Sequence, residues 1–353
     1  MFLPRELLPN LLEHLPKKQV TVLTGMRRTG KTTLLKKLLE VSAIEQQAFF
    51  DLERIDNREL FSEKNYELIV QVLQQRGMDC SRPVIIGLDE IQLVPNLPSV
   101  IKYLYDTYAI KFVVTGSSSY YLKNRFDESL AGRKKVFEVY PLTFQETLSF
   151  KGIPFKVSDQ WANCASSAEY ARLKLHYEEY VQYGGFPEVV LFQQLADKKD
   201  MLQDILSSYV NLDLMALADI KKSTELYQLI QLLAARIGAK LDISKLSRIS
   251  GISRNRLEDY LALLEQSYLI KTIPIAAGSA DRAVAKSRKL YFLDNGIANA
   301  VAELSGGAKF ENATFNQLHH VGNVAYYALR SGQEIDFVIN NTVAFKVKET
   351  PLK

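Results

Sequence analysis

Val20-Thr21-Val22-Leu23-Thr24-Gly25-Met26-Arg27-Arg28-Thr29-Gly30-Lys31-Thr32-Thr33-Leu34-Leu35 constrains the chain more than any other stretch. A β-branched apolar run enters Gly25, four residues follow, and Gly30-Lys31-Thr32 opens a segment with Leu34, Leu35, Leu38 and Leu39 at helical spacing. Strand, glycine-rich loop and helix in that order are the context that the motif G-x-x-x-x-G-K-[ST] requires. Glycines let the backbone curl so that several N–H groups face one anion, and the helix N-terminus adds its dipole. The alternative, a chance Gly/Lys turn, lacks a reason for the flanking strand and helix. The loop from Gly25 through Met26, Arg27, Arg28, Thr29, Gly30, Lys31, Thr32 and Thr33 is therefore expected to hold the phosphates of ATP. Lys31 is expected on the β- and γ-phosphates and the Thr32 hydroxyl on Mg²⁺.

A second apolar run, Val84-Ile85-Ile86-Gly87-Leu88, ends in Asp89-Glu90. After a phosphate-binding loop, a buried parallel strand ending in two carboxylates is the expected Walker B element. Asp89 is assigned to Mg²⁺, and Glu90 to orienting or deprotonating the attacking water. The alternative is an acidic strand end that caps the next helix. A further strand, 111–116, leads to Ser117, Ser118 and Ser119. Ligands of open α/β sheets lie beyond the carboxyl ends of the strands. Ser117 or Ser118 is thus a candidate polar sensor, and equally an ordinary N-cap.

Composition sets outer limits. At roughly 150 residues per domain, 353 residues suggest two or three domains. The 44 basic and 40 acidic residues leave a net charge of +4, too small to argue for nucleic acid alone. Two cysteines, Cys80 and Cys164, with no CxxC or Cys/His cluster, argue against a disulfide framework and a zinc site, which fits a reducing cytosol. The first residues do not read as a signal peptide, and no apolar run is long enough to span a bilayer. A cytoplasmic protein without a membrane partner is expected.

Residues 5–15 carry a helical leucine stripe, Ala48–Leu52 reads as a strand, and 64–76 as a helix. Arg133, on a loop before the strand 135–140, reads from its surroundings as a solvated arginine. Residues 151–223 are mostly helical around the break Gly184-Gly185-Phe186-Pro187. Residues 224–294 follow a helix–helix–helix–strand pattern that reads as a winged helix, with 276–285 as the wing. Lys245, Arg248, Arg254, Arg256, Arg282, Lys286 and Arg288 concentrate charge there. Double-stranded DNA is one expected partner, through Arg254 and Arg256 at the start of the second long helix. Glu258, Asp259 and Glu265 dilute that helix, so a solvated face or a protein partner remains an equal reading.

The order of these motifs, with Thr115-Gly116-Ser117-Ser118, Leu130-Ala131-Gly132-Arg133, Tyr140-Pro141-Leu142-Thr143-Phe144-Gln145-Glu146 and Tyr183-Gly184-Gly185-Phe186-Pro187-Glu188, resembles a prokaryotic family of AAA-type P-loop ATPases. That family is related to the archaeal ATPases and the signal-transducing NTPases with numerous domains. The resemblance covers nearly the whole chain. It implies an α/β fold: a P-loop NTPase parallel sheet with a helical lid, a winged helix and a small α/β C-terminal domain. The corresponding boundaries are 1–150, 151–223, 224–294 and 295–353. It also makes Arg133 the candidate arginine finger, acting within one chain or across a homo-oligomer.

The tail reads as a helix at 310–318, strands at 324–329, 334–339 and 343–347, and a hairpin turn at Asn340-Asn341. The pattern resembles a restriction-endonuclease-like core, which needs a helix Glu, a strand Asp and then Glu-x-Lys. Glu311 and Asp336 match, but Lys346-Val347-Lys348 places an ammonium where the metal-binding Glu belongs. Glu349 points to the opposite face of the strand. An inactive core, short of chain to cover its sheet, is expected. The function implied is an ATP-hydrolysing, Mg²⁺-dependent switch coupled to the winged helix and tail. The alternative is a DNA-binding regulator that uses nucleotide only as a conformational signal, and an ATP-gated nuclease is disfavoured by Lys346.

Overall fold

The structure, a computed structural model, describes residues 2–117, 130–155, 166–214, 223–276, 287–329 and 333–348. The chain divides into two compact units, Phe2–Tyr140 and 141–353. The division falls after Tyr140, where the sequence reading placed a boundary at 150.

The first unit is built on five parallel strands: β1 (Val20–Thr24), β2 (Gln46–Asp51), β3 (Val84–Asp89), β4 (Ile110–Gly116) and β5 (Lys134–Glu138). Their order is β2-β3-β4-β1-β5. The three central strands are buried along their full length, as strands covered on both faces must be, whereas β2 and β5 are partly exposed edges. Side chains alternate between two cores. Val20, Val22, Ile86, Leu88 and Val114 meet α3 (Ile55–Phe61), α4 (Tyr66–Gln75) and α5 (Leu97–Thr107) on one face. Leu23, Ile85 and Val113 meet α1 (Leu8–His14) and α2 (Lys31–Glu40) on the other. The result is a three-layer sandwich whose strand ends Thr24, Asp89 and Gly116 share one rim.

The second unit begins with α6 (Phe144–Phe150), closed by a reciprocal capping box between Thr143 and Glu146. α7 (Ser167–Tyr183), α8 (Pro187–Leu191) and α9 (Leu195–Ser208) follow, and α9 runs into a π turn at Tyr209–Leu214. The Gly184-Gly185 break is a docking point. Gly185 donates its N–H to the buried Asp294 carboxylate at 2.7 Å, and its carbonyl accepts from Leu142 at 2.6 Å. A Cβ on Gly185 would lie 2.2 Å from the Leu142 carbonyl oxygen, so only glycine fits.

Further along are α10 (Ser223–Ala234), α11 (Ile243–Ser250), α12 (Arg254–Gln266) and an antiparallel pair, β6 (Ile270–Ile273) and β7 (Lys289–Phe292). The expected wing lies almost wholly within 277–286, outside the described residues, as do Arg282 and Lys286. α13 (Asn295–Val301) and α14 (Gly306–Leu318) lead to the antiparallel sheet β10-β9-β8, with β8 at Val324–Ala328, β9 at Glu334–Ile339 and β10 at Val343–Phe345. Asn340 and Asn341 take positive φ of 49° and 57°, as a tight hairpin between right-twisted strands requires. Among the described residues no helix is long and apolar enough to cross a membrane.

Candidate functional site: the phosphate loop and its acidic partner strand

Gly25 leaves β1 at φ 152°, and a Cβ there would stand 2.1 Å from the Val139 carbonyl oxygen. The loop can therefore start only from glycine. Val139 also donates its N–H to the Thr24 carbonyl at 2.7 Å, fixing the base of the loop. Met26 and Thr29 are buried, and the Thr29 hydroxyl donates to the Met26 carbonyl at 2.9 Å. Arg28 turns outward with φ 62°, while Arg27 is half-buried. Gly30, left-handed at φ 93°, begins α2, whose N-terminus has no side-chain cap. First-turn N–H groups without a capping side chain are what an anion needs. Thr33 is exposed on that first turn.

The Lys31 ammonium is buried and donates to the carbonyls of Gly25 at 2.9 Å and Met26 at 2.8 Å. Thr32 Oγ1 donates to Asp89 Oδ2 at 2.8 Å. The Thr115 hydroxyl also donates to Asp89, and accepts the Glu90 N–H at 3.1 Å. Strand order explains this meeting: β4 lies between β1 and β3, so its tip flanks both the loop and the acidic end. Glu90 holds φ 56°, a left-handed conformation uncommon for a non-glycine residue, and starts a short 3₁₀ turn at Ile91–Leu93. Its carboxylate accepts from the Gln92 amide, which also donates to Ser117 Oγ at 2.9 Å. Ser117 is thus buried at the rim, hydrogen-bonded to the residue that holds Glu90; Ser118 lies outside the described residues.

Arg133 is elsewhere. Val20 pairs with Lys134 in the parallel ladder, and Val20 donates its N–H to the Arg133 carbonyl at 2.8 Å. Arg133 therefore sits at the amino ends of the strands, separated from the loop by the length of β1, about 13 Å at 3.3 Å per residue. Its guanidinium makes a two-pronged pair with Asp106 at 2.9 and 3.2 Å. That hydrogen-bonded pair raises the arginine pKa and lowers the aspartate's. Of the two arrangements left open for Arg133, within one chain or across a homo-oligomer, the first does not occur in this geometry: a residue preceding a parallel strand lies at the rim opposite the loop.

Three participants escaped the sequence reading. Thr115 and Gln92 are described above, and the third is Arg5. Its buried guanidinium donates to the Thr29 carbonyl at 2.9 Å and to the Tyr140 carbonyl at 2.8 Å, bracing the loop from outside. Thr115 stood within a motif already singled out and Gln92 two residues beyond another, but nothing in the linear order says which neighbour they touch. Arg5 carries no motif at all.

The loop, the acidic strand end and the strand order define an AAA-type P-loop ATPase domain. Residues 17–148 match the family described as an AAA domain, and residues 174–307 match a domain of unknown function (DUF8612). Among known proteins, the uncharacterized protein MJ1544 of Methanocaldococcus jannaschii is 29% identical over 338 residues, 92% of this chain and 73% of the relative. An uncharacterized protein of Haemophilus influenzae is 25% identical over 350 residues, 94% of this chain and 83% of its own. The RuvB Holliday junction branch migration motor of Thermotoga maritima is a structural neighbour with a TM-score of 0.37 and 15% identity, covering 77% of this chain and 91% of that one. The Aeropyrum pernix ORC1 protein in complex with DNA has a TM-score of 0.35 and 14% identity, covering 83% and 90%. At these scores neither neighbour bears on what this chain binds.

Proposed function

We propose that the protein is a Mg²⁺-dependent ATPase that acts as a nucleotide-controlled switch. The observation that carries the reading is the convergence of Lys31, Thr32, Asp89, Thr115 and Glu90 at one rim of the sheet. Lys31, held by two loop carbonyls, is placed to exchange them for phosphate oxygens. The Thr32 hydroxyl and the Asp89 carboxylate are adjacent hard oxygen donors, the type that Mg²⁺ takes together with water and phosphate. Bound Mg²⁺ would neutralise phosphate charge there. Glu90, oriented by Gln92, prepares water, and Ser117 senses the state of the site through the same amide. Arg133 can complete a site only in a second copy, after release from Asp106.

Residues 151–223 serve in this reading as the helical lid, 224–294 as a winged helix and 295–353 as an effector-like tail, all responding to nucleotide. Replacing Lys31 by alanine removes a charge-assisted contact of about 1.5–3 kcal/mol, so ATP affinity should fall by roughly ten- to a hundredfold. Unchanged affinity by calorimetry in a folded variant would sink the assignment. Mass measured in ATP and in ADP tests the role of a second copy.

The second reading is a DNA-binding regulator with negligible turnover, motivated by the exposed Arg254 at the first turn of α12. Against it, Arg256 is engaged by Tyr260 at 2.8 Å and Glu225 at 3.3 Å, and Glu258 and Asp259 are exposed on the same helix. Steady-state phosphate release with and without duplex DNA separates the readings. Retention on DNA that fades steeply with salt, without turnover, would favour the second.

A further inference from the structure

Three carboxylates converge in the second unit: Glu311 from α14, and Glu334 and Asp336 from β9. Three acidic side chains gathered around one point call for cationic charge at their centre. The centre is already taken. Lys289, the first residue of β7, is 3% exposed, and its ammonium pairs with Glu334 and lies 3.7 Å from Glu311 and 3.9 Å from Asp336.

The surrounding contacts complete the charge balance. Lys240 approaches Glu334 at 2.9 Å and Lys346 approaches Asp336 at 3.0 Å, so three ammonium groups answer three carboxylates. The Tyr291 hydroxyl donates to Glu311 at 2.7 Å, and the Val347 N–H to the second oxygen of Asp336 at 2.8 Å. Burial pushes the Glu311 carboxyl up, whereas Glu334, also pushed up by burial, is held below the ordinary range by its two lysines. Lys289 cannot easily withdraw, because its backbone pairs with Ile273 on one side and Lys240 on the other. Among the described residues no group of three or more His, Cys, Asp or Glu is arranged to hold a metal ion.

We propose that the Lys289 ammonium is a built-in cation occupying the place a divalent metal would take among Glu311, Glu334 and Asp336. The cluster is then a metal-independent clasp that ties the tail sheet to β7 and to the 238–241 segment. A divalent ion would have to expel a buried lysine to enter. Lys346 is a secondary partner: its side chain is 47% exposed, and among the described residues its one ion pair is with Asp336.

The test uses the full-length protein and Tb³⁺, a hard cation whose emission is sensitised by a nearby tyrosine, here Tyr291. The signal counted is the part that Asp336→Asn removes. Wild-type protein should give none, and millimolar Ca²⁺ should leave its unfolding temperature unchanged. Lys289→Met should gain the Tb³⁺ signal and a Ca²⁺-dependent rise of several degrees in unfolding temperature, because only the folded state holds the ion. Should that variant not fold without metal, recovery on adding Ca²⁺ supports the proposal. Lys289→Gln with Glu334→Gln, which removes one charge of each sign, should fold and gain a weaker response. Sensitised emission from the wild type that disappears on Asp336→Asn would overturn the proposal. So would folded Lys289 variants that gain no cation response.

Discussion

Thr32 and Asp89, separated by 57 residues in sequence, share a hydrogen bond of 2.8 Å between hydroxyl and carboxylate. The bond joins the first turn of α2, which follows β1, to the end of β3, and β1 and β3 are not neighbours in the sheet order. β4 fills the space between β1 and β3, and its Thr115 hydroxyl closes the triangle on the same carboxylate. The Asp89 carboxylate, which we propose as the Mg²⁺ ligand, is thereby oriented before any ligand arrives, which lowers the reorganisation that binding requires.

Glu90→Gln should bind Mg·ATP with near wild-type affinity and lose turnover by roughly 10²–10⁴-fold, the usual range for a general base. The Gln92 amide still has a side-chain oxygen to meet, so the fold should be unaffected. Calorimetry with phosphate-release kinetics checks both halves. Wild-type turnover would reduce Glu90 to a strand-end residue.

Thr115→Val keeps shape and removes one hydroxyl that serves two partners, Asp89 and the Glu90 N–H. Leaving buried polar groups short of a partner costs about 1–3 kcal/mol. Chemical denaturation should show that loss, with weaker Mg²⁺ dependence of ATP binding. A variant as stable as wild type and unchanged in Mg²⁺ dependence would mean that Thr115 only fills space.

Much of this site could be read in one dimension. Lys31, Thr32, Asp89 and Glu90 lie within short motifs whose flanking strands and helix announce themselves by apolar runs. Thr115 and Arg5 could not be read so, because their contacts depend on strand order and on the N-terminal segment meeting residues 24 and 135 positions away, Thr29 and Tyr140. Arg133 is different. Its place before β5 was visible, and parallel pairing alone puts such a residue at the rim away from the ligand. Family resemblance made it an arginine-finger candidate, within one chain or across a homo-oligomer, and the ladder puts it at the far end of its own chain.

Asp294 gives the second unit a pH dependence. Burial pushes its carboxyl up from 3.8 to about 6, against the opposing pull of backbone N–H groups at Gly185 and Ile297. A carboxyl with a higher pKa folded than unfolded holds its proton more tightly in the folded state. Its contribution is therefore complete below about pH 3.8 and lost as pH rises through about 6. The loss amounts to about 3 kcal/mol. Asp294→Asn keeps a helix cap and removes the titration, so stability measured by denaturant from pH 4 to 7 should fall less steeply than in wild type. Parallel profiles would show that the backbone N–H groups dominate.

Lys346→Glu is the reversal that the sequence recommends, because it restores a carboxylate where an endonuclease-like core would carry one. The structure predicts that it fails. Lys346 contributes one exposed contact to Asp336, while Lys289 remains buried among Glu311, Glu334 and Asp336. A fourth carboxylate would add negative charge around an ammonium that still excludes the metal, and no side chain on the tail itself reveals this blocker. Neither Mg²⁺ nor Mn²⁺ should therefore promote DNA cleavage by the wild type or by Lys346→Glu, and neither ion should change the unfolding temperature of that variant. Adding Lys289→Met to Lys346→Glu should make the unfolding temperature respond to Mn²⁺. Metal-dependent cleavage by Lys346→Glu that Asp336→Ala abolishes would show that Lys346, and not Lys289, is what keeps this cluster silent.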